Sequence, residues 1–215
     1  MAVMTVIDPP LPPSRAGAVA LIAGDLALNF ANSESGRGFP TRQDHLQAPT
    51  DVADWLEHAG ALGAAATAEL RALLAADPAF AQALLAEARR LRDDVRAVAA
   101  AIARRADPPP AALDDLAALH ARWLAAARLA PDGPRRAWRW RVADAPLAAA
   151  LGPIALAAVA LVAERDPTRI KECGGVACGW LFYDGTKNNR RRWCEMEVCG
   201  NRAKQRRRAA RGREA

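Results

Sequence analysis

Apolar residues recur at helical spacing through the middle of the chain and lose that spacing toward its end. The clearest stripe is Phe80, Leu84, Ala88, Leu91, Val95, Val98 and Ile102, with steps of 4, 4, 3, 4, 3 and 4 residues. Asp77 offers a capping carboxylate at its start, and Pro78 suits the first helical position, where no N–H is needed. Asp107 and Pro108 to Pro110 end it. Arg89, Arg90, Arg92, Asp93, Asp94 and Arg96 lie mainly off the stripe, and their mixed signs read as a solvated face. Upstream, Thr50 or Asp51 caps a helix carrying Val52, Trp55, Leu56 and Ala59 that Gly60 stops, and a short helix follows around Leu70, Leu73 and Leu74. Downstream, Leu113, Leu116, His120, Trp123 and Ala127 share one side of another helix. Gly24-Asp25 opens a short apolar stretch through Ala31, and Asn32 to Pro40, mostly polar, reads as an exposed loop.

Two later segments break the helical pattern. After the turn Pro131-Asp132-Gly133-Pro134, Trp138, Trp140 and Val142 alternate with Arg139 and Arg141, the period of a strand with one face inward. Ala145 to Ala163 holds 19 residues without a charge, enough to raise a membrane span. Nine are alanine and only seven are leucine, isoleucine or valine, and Gly152-Pro153 is expected to break a helix there, so the segment predicts a buried core helix from Pro153 to Glu164 and no membrane contact. Residues 1–17 are proline-rich and read as a flexible leader without the features of a signal peptide, which places the protein in the cytoplasm. The break at Asp166-Pro167 divides a helical regulatory domain, residues 18–167, from a small module, residues 168–215.

That module holds every cysteine in the chain, as Cys173-x4-Cys178-x15-Cys194-x4-Cys199. Two cysteine brackets separated by a hairpin-sized insert suit a tetrahedral zinc site with four thiolate ligands, one zinc per chain. A pair of disulfides is the alternative for the same residues, and it suits a secreted domain. Trp180 to Tyr183 read as a strand, Asp184 to Asn189 as a turn and Arg190 to Trp193 as the returning strand. Knuckle, hairpin and a last ligand pair at the start of a helix give a treble-clef order. The fold class is therefore mostly α, a helical N-terminal domain with minor β plus a small four-cysteine zinc finger.

Charge sharpens the contrast. The chain carries +6, and residues 169–215 hold 13 basic and 5 acidic side chains against 17 and 19 in residues 1–168. From Cys199 onward, good helix formers alternate with cations, and a helix over 200–211 has only alanine as apolar material. Asn201, Arg202, Lys204, Arg206, Arg207, Arg208 and Arg211 on that helix, with Lys187, Arg190, Arg191 and Arg192 on the hairpin, suit nucleic-acid phosphates, with double-stranded DNA as the expected partner. A solvated basic terminus is the bland alternative. RNA binding or ribosome association is a second reading, and a stress sensor acting through protein contacts is a third. An apolar pocket within residues 20–165 would favour the sensor and a small-molecule effector. No nucleophile and base pair, paired carboxylate site or phosphate loop points to an enzyme, and His45, His58 and His120 each stand alone.

Cys178-Gly179-Trp180-Leu181-Phe182, Arg191-Arg192-Trp193-Cys194 and Cys199-Gly200-Asn201-Arg202-Ala203-Lys204 resemble the bacterial CGNR zinc finger. Gly24 to Ser33 and Trp55 to Gly60 resemble the helical ABATE domain that precedes this finger in stress-induced transcription regulators. The resemblance implies zinc binding and transcriptional regulation. Family members commonly carry an acidic residue and a threonine where this chain has Asn29 and Ser33.

Overall fold

The computed structural model describes residues 14–37 and 39–211. In order, the elements are α1 (Leu26–Ala31), β1 (Glu34–Ser35), β2 (Gln43–Asp44), α2 (Pro49–His58), α3 (Ala64–Ala76), α4 (Pro78–Ala103) and α5 (Pro110–Leu124). They continue with β3 (Arg128–Asp132), β4 (Arg135–Arg139), α6 (Pro146–Ala163), β5 (Ile170–Glu172), β6 (Leu181–Tyr183) and α7 (Asn201–Arg211). The strands form three separate antiparallel hairpins, β1–β2, β3–β4 and β5–β6. The chain is thus mostly helical, with small hairpins and a C-terminal cluster of four cysteines.

α4 forms where the apolar stripe predicts it. Asp77 accepts a hydrogen bond from the Phe80 N–H at 2.9 Å, and Leu84, Ala88, Leu91, Val95 and Val98 are buried. α1, α2, α3 and α5 all pack against this helix, and α6 packs against α1, α4 and α5. At α2 the Asp51 carboxylate caps by accepting from the Gln47 and Ala48 N–H groups. Of residues 1–17, read as a flexible leader, residues 1–13 lie outside the described residues. Ser14 and Arg15 are docked, the first donating to the His45 carbonyl and the second to His45 Nδ1.

Four expectations are corrected. Gly152-Pro153 does not break the apolar helix, which runs unbroken through Pro153 as α6, with nine of its 18 residues buried. Proline there removes one N–H and costs about 3 kcal/mol in an isolated helix. Burial of both halves outweighs that, and Gly152 lets the Trp140 ring press on the backbone: a Cβ there would lie 2.8 Å from the ring. α6 is long and apolar enough to cross a membrane, and in this fold it is a core helix. The strand expected over Trp138 to Val142 ends at Arg139, and its partner is β3, whose last two residues, Pro131 and Asp132, read as part of a turn.

Third, the stretch Asn32 to Pro40 is not an exposed loop along its whole length. Asn32, Ser33 and Glu34 are fully buried. Fourth, on α4's polar face Arg92 is buried and grips Asp44 through two hydrogen bonds of 2.5 and 3.1 Å, with Glu34 3.7 Å away. Glu34 also accepts from Arg37 and Arg42. Burial works against ionisation of both carboxyls, yet these guanidiniums hold Glu34 and Asp44 below the usual carboxylate range.

Candidate metal centre and nucleic-acid interface

β5 and β6 place the first cysteine bracket. The Cys173 N–H donates to the Trp180 carbonyl at 2.8 Å, closing a loop that carries Cys173 and Cys178 between the strands. Gly179 turns the chain out of this loop at φ +67°, and at Gly175 a Cβ would come within 3.1 Å of Cys199 Sγ. The partner of β6 is therefore β5; the return expected over Arg190 to Trp193 is not a strand, and these residues run irregularly to Cys194. A π-helical turn, Met196–Gly200, then delivers Cys199 and leads directly into α7.

The four sulfurs lie within 4.8 Å of one another, with Cys178 to Cys194 at 3.7 Å and Cys194 to Cys199 at 3.6 Å. Four thiolates about 2.3 Å from a central zinc would sit roughly 3.8 Å apart, so the cluster has the dimensions of one tetrahedral site. All four cysteines are free, without disulfides. Backbone N–H groups of Gly175 and Cys194 point at Cys173 Sγ, at 3.4 and 3.3 Å. Bonds from the Cys178 and Cys194 thiols, with these N–H groups, hold Cys173 down to about 2. Cys178 is pushed up to about 12 by its bond to Cys173, Cys194 is pushed up by the same neighbour, and burial raises Cys199. Four sulfurs this close repel one another as thiolates, and a dication held between them would let all four ionise.

The centre is tied to the helical part of the chain. The Asn32 side-chain amide pairs with the backbone of Leu181 in both directions, at 2.8 and 2.9 Å. The Tyr183 N–H donates to the Ala23 carbonyl, the Gly36 N–H to the Cys178 carbonyl, and Arg96 to the Gly179 carbonyl. Arg165 bonds Asp25 and lies 3.7 Å over the Tyr183 ring. One apolar core runs from Leu28 and Phe30 through Leu181 and Phe182 to Cys194, across the break at Asp166-Pro167.

The predicted cations divide by use. Arg191 is half-buried against Phe182 and donates to the Trp193, Ile22 and Cys194 carbonyls, so its guanidinium braces the second bracket. Lys187, Arg190 and Arg192 are exposed. On α7, Asn201 donates back to the Glu197 carbonyl, while Arg202, Lys204, Arg206, Arg207, Arg208 and Arg211 are exposed and Ala203 alone is buried. None of these six cations has an acidic partner among the described residues. Arg202 and Arg206 also line a cleft of about 330 Å³ with Ser35, Thr41, Gln43 and three of the cysteines.

The sequence did not single out Lys171 and Asp184, which order the loop before Cys194. Asp184 is buried and accepts from Lys171 Nζ, the Thr186 hydroxyl and N–H, and the Arg191 N–H. Burial opposes its ionisation, but these donors prevail and hold its carboxyl well below the usual range. Asn29 Oδ1 accepts from the Ala23 N–H, while Ser33 Oγ is buried without a partner among the described residues. A second cavity, of about 560 Å³, lies between β4, α6 and the α2–α3 turn, with Leu26, Leu62, Trp138, Trp140, Pro153 and Leu156 among its walls.

A mostly helical region with a hairpin-borne four-cysteine module packed against it is the arrangement of a zinc-finger protein. The family model described as "Putative stress-induced transcription regulator", ABATE, matches residues 24–165, and the CGNR zinc finger model matches residues 169–212. The chain belongs to the ABATE family and carries a C-terminal CGNR zinc finger. Neither family description includes a catalytic role. A comparison with curated proteins finds no match.

Proposed function

We propose that this protein is a DNA-binding transcription regulator of the cytoplasm, in which Cys173, Cys178, Cys194 and Cys199 hold one zinc and α7 carries the cations that meet phosphate. The observation that supports this reading most is the anchoring of α7. A freely solvated basic tail has no fixed start, whereas the first turn of α7 follows directly on Cys199, and buried Ala203 seats it on the finger. Zinc, by fixing Cys199, sets the direction in which about 16 Å of cationic helix projects, at roughly 1.5 Å per residue. Like charges crowded on one helix are unfavourable in water, and a polyanion reverses the sign of that energy.

Exposed Lys187, Arg190 and Arg192 flank the same module and suit the neighbouring backbone phosphates. The apolar cavity beside Trp140 and Pro153 favours a small, largely apolar effector bound by the helical domain. Selection from random duplex DNA by the zinc-loaded chain, with matched RNA as competitor, tests the reading. Enrichment of a duplex motif is expected; enrichment confined to RNA, or none in either pool, overturns it.

A further inference from the structure

The β3–β4 ribbon is charged against its surroundings. Residues 128–141 carry five arginines and one aspartate, +4, within residues 1–168, which total −2, so the remainder of that segment is −6. Eight of the ten strand residues are exposed, and only Ala130 and Ala137 are half-buried. The register sets Arg128 opposite Arg139, Leu129 opposite Trp138, and Asp132 opposite Arg135. Alternation along the strands puts Arg128, Arg135 and Arg139 on one face, and Leu129, Arg136 and Trp138 on the other.

The ribbon's own stability does not account for this pattern. Like charges directly opposite one another destabilise a strand pair, and a two-stranded ribbon is marginal on its own. Asp132 binds Arg139 at 2.9 Å, while Arg128, Arg135 and Arg136 have no acidic partner among the described residues. Leu129 is 59% exposed and the facing Trp138 36% exposed, an apolar pair held toward solvent beside unpaired cations.

We infer that the β3–β4 ribbon is a second nucleic-acid contact, entering a groove of duplex DNA with Arg128, Arg135 and Arg136 on phosphates and the Leu129–Trp138 pair against the groove wall. A two-stranded ribbon fits the major groove, and each phosphate contact releases counterions. The inference rests on the DNA reading of α7, whose unpaired arginines present the same chemistry to the same polyanion. It extends the footprint from the finger to the helical domain.

The test is duplex DNA binding by the full zinc-loaded chain between 50 and 200 mM salt, on the order of the range over which such contacts are read. Five proteins are compared: the unaltered chain, a ribbon variant (Arg128→Gln, Arg135→Gln, Arg136→Gln), an α7 variant (Arg206→Gln, Arg207→Gln, Arg208→Gln), the combination of these two, and a ribbon variant with lysine at the same three positions. The ribbon variant is expected to bind all duplexes more weakly, with a log K against log salt slope shallower by about 2.7, at about 0.9 per contact, additively with the α7 variant. A ribbon set changed to lysine keeps the charge and is expected to bind nearly as the unaltered chain does; equal loss with lysine would mean damaged structure and overturn the inference. If the α7 variant flattens the slope and the ribbon variant leaves it unchanged, the ribbon inference fails and the α7 reading stands. If the unaltered chain binds no duplex, both fail. Ribbon-dependent binding of RNA in preference to duplex would overturn the groove assignment.

Discussion

Arg92 and Arg96 on α4 point into the protein, where Arg92 neutralises Asp44 beside Glu34 and Arg96 holds the Gly179 carbonyl of the cysteine loop. On α7 the arginines point outward: Arg202, Arg206, Arg207, Arg208 and Arg211 are exposed with no acid against them among the described residues. α4 has acidic neighbours of its own, Asp93 and Asp94, and more in the β1–β2 hairpin it covers, whereas α7 contains none. Residue type is therefore a poor guide to the use of an arginine. What separates structural from available cations is whether the fold supplies the counter-charge. α4 draws its partners from the same chain, and the cations of α7 have none among the described residues.

The comparison breaks most visibly at the metal. Because one apolar core spans both regions and Asn32 and Ala23 bond β6 directly, stripping zinc with a chelator should lower the melting of the whole chain in a single transition. The loss is expected to be several kcal/mol, below the roughly 10–16 kcal/mol seen for isolated finger peptides. Calorimetry with and without chelator checks this; an unmoved helical transition beside a lost finger would contradict the shared core. A smaller effect distinguishes the two arginine classes. Arg92→Ala leaves Asp44 and Glu34 buried with less counter-charge and should cost about 3–5 kcal/mol in a denaturant melt. Arg206→Ala, at an exposed position without an acidic partner among the described residues, should stay within about 0.5 kcal/mol. Equal costs would remove the distinction.

Much of this was legible in the sequence where the signal is local. The Asp77-Pro78 cap and the seven-residue stripe give α4, and the spacing of Cys173, Cys178, Cys194 and Cys199 gives the cluster. What stayed hidden depends on partners far along the chain. Asn32 and Glu34 sit in a polar stretch that looks like a solvated loop, and nothing near them reveals that Asn32 pairs with Leu181, 149 residues away, or that Arg92 awaits Asp44. Leu181 to Tyr183 read correctly as a strand, but the choice of Ile170–Glu172 over Arg190 to Trp193 as its partner follows from Lys171 and Asp184 drawing that loop together. Pro153 was misleading because a local helix penalty is small beside the burial of α6 on α1, α4 and α5. The cations of the finger were visible as a set; which of them face inward, as Arg191 does, was not.

The most direct test of the outward role of α7 is the salt dependence of duplex DNA binding for the full chain and for a chain ending at Ala203, which keeps all four cysteines and the buried alanine that seats the helix. Lys204, Arg206, Arg207, Arg208 and Arg211 are removed together, along with Arg213, and with five phosphate contacts at about 0.9 each the log K against log salt slope should become shallower by about 4.5 while zinc content is unchanged. An identical slope for the two chains, or binding that does not respond to salt, would contradict the account.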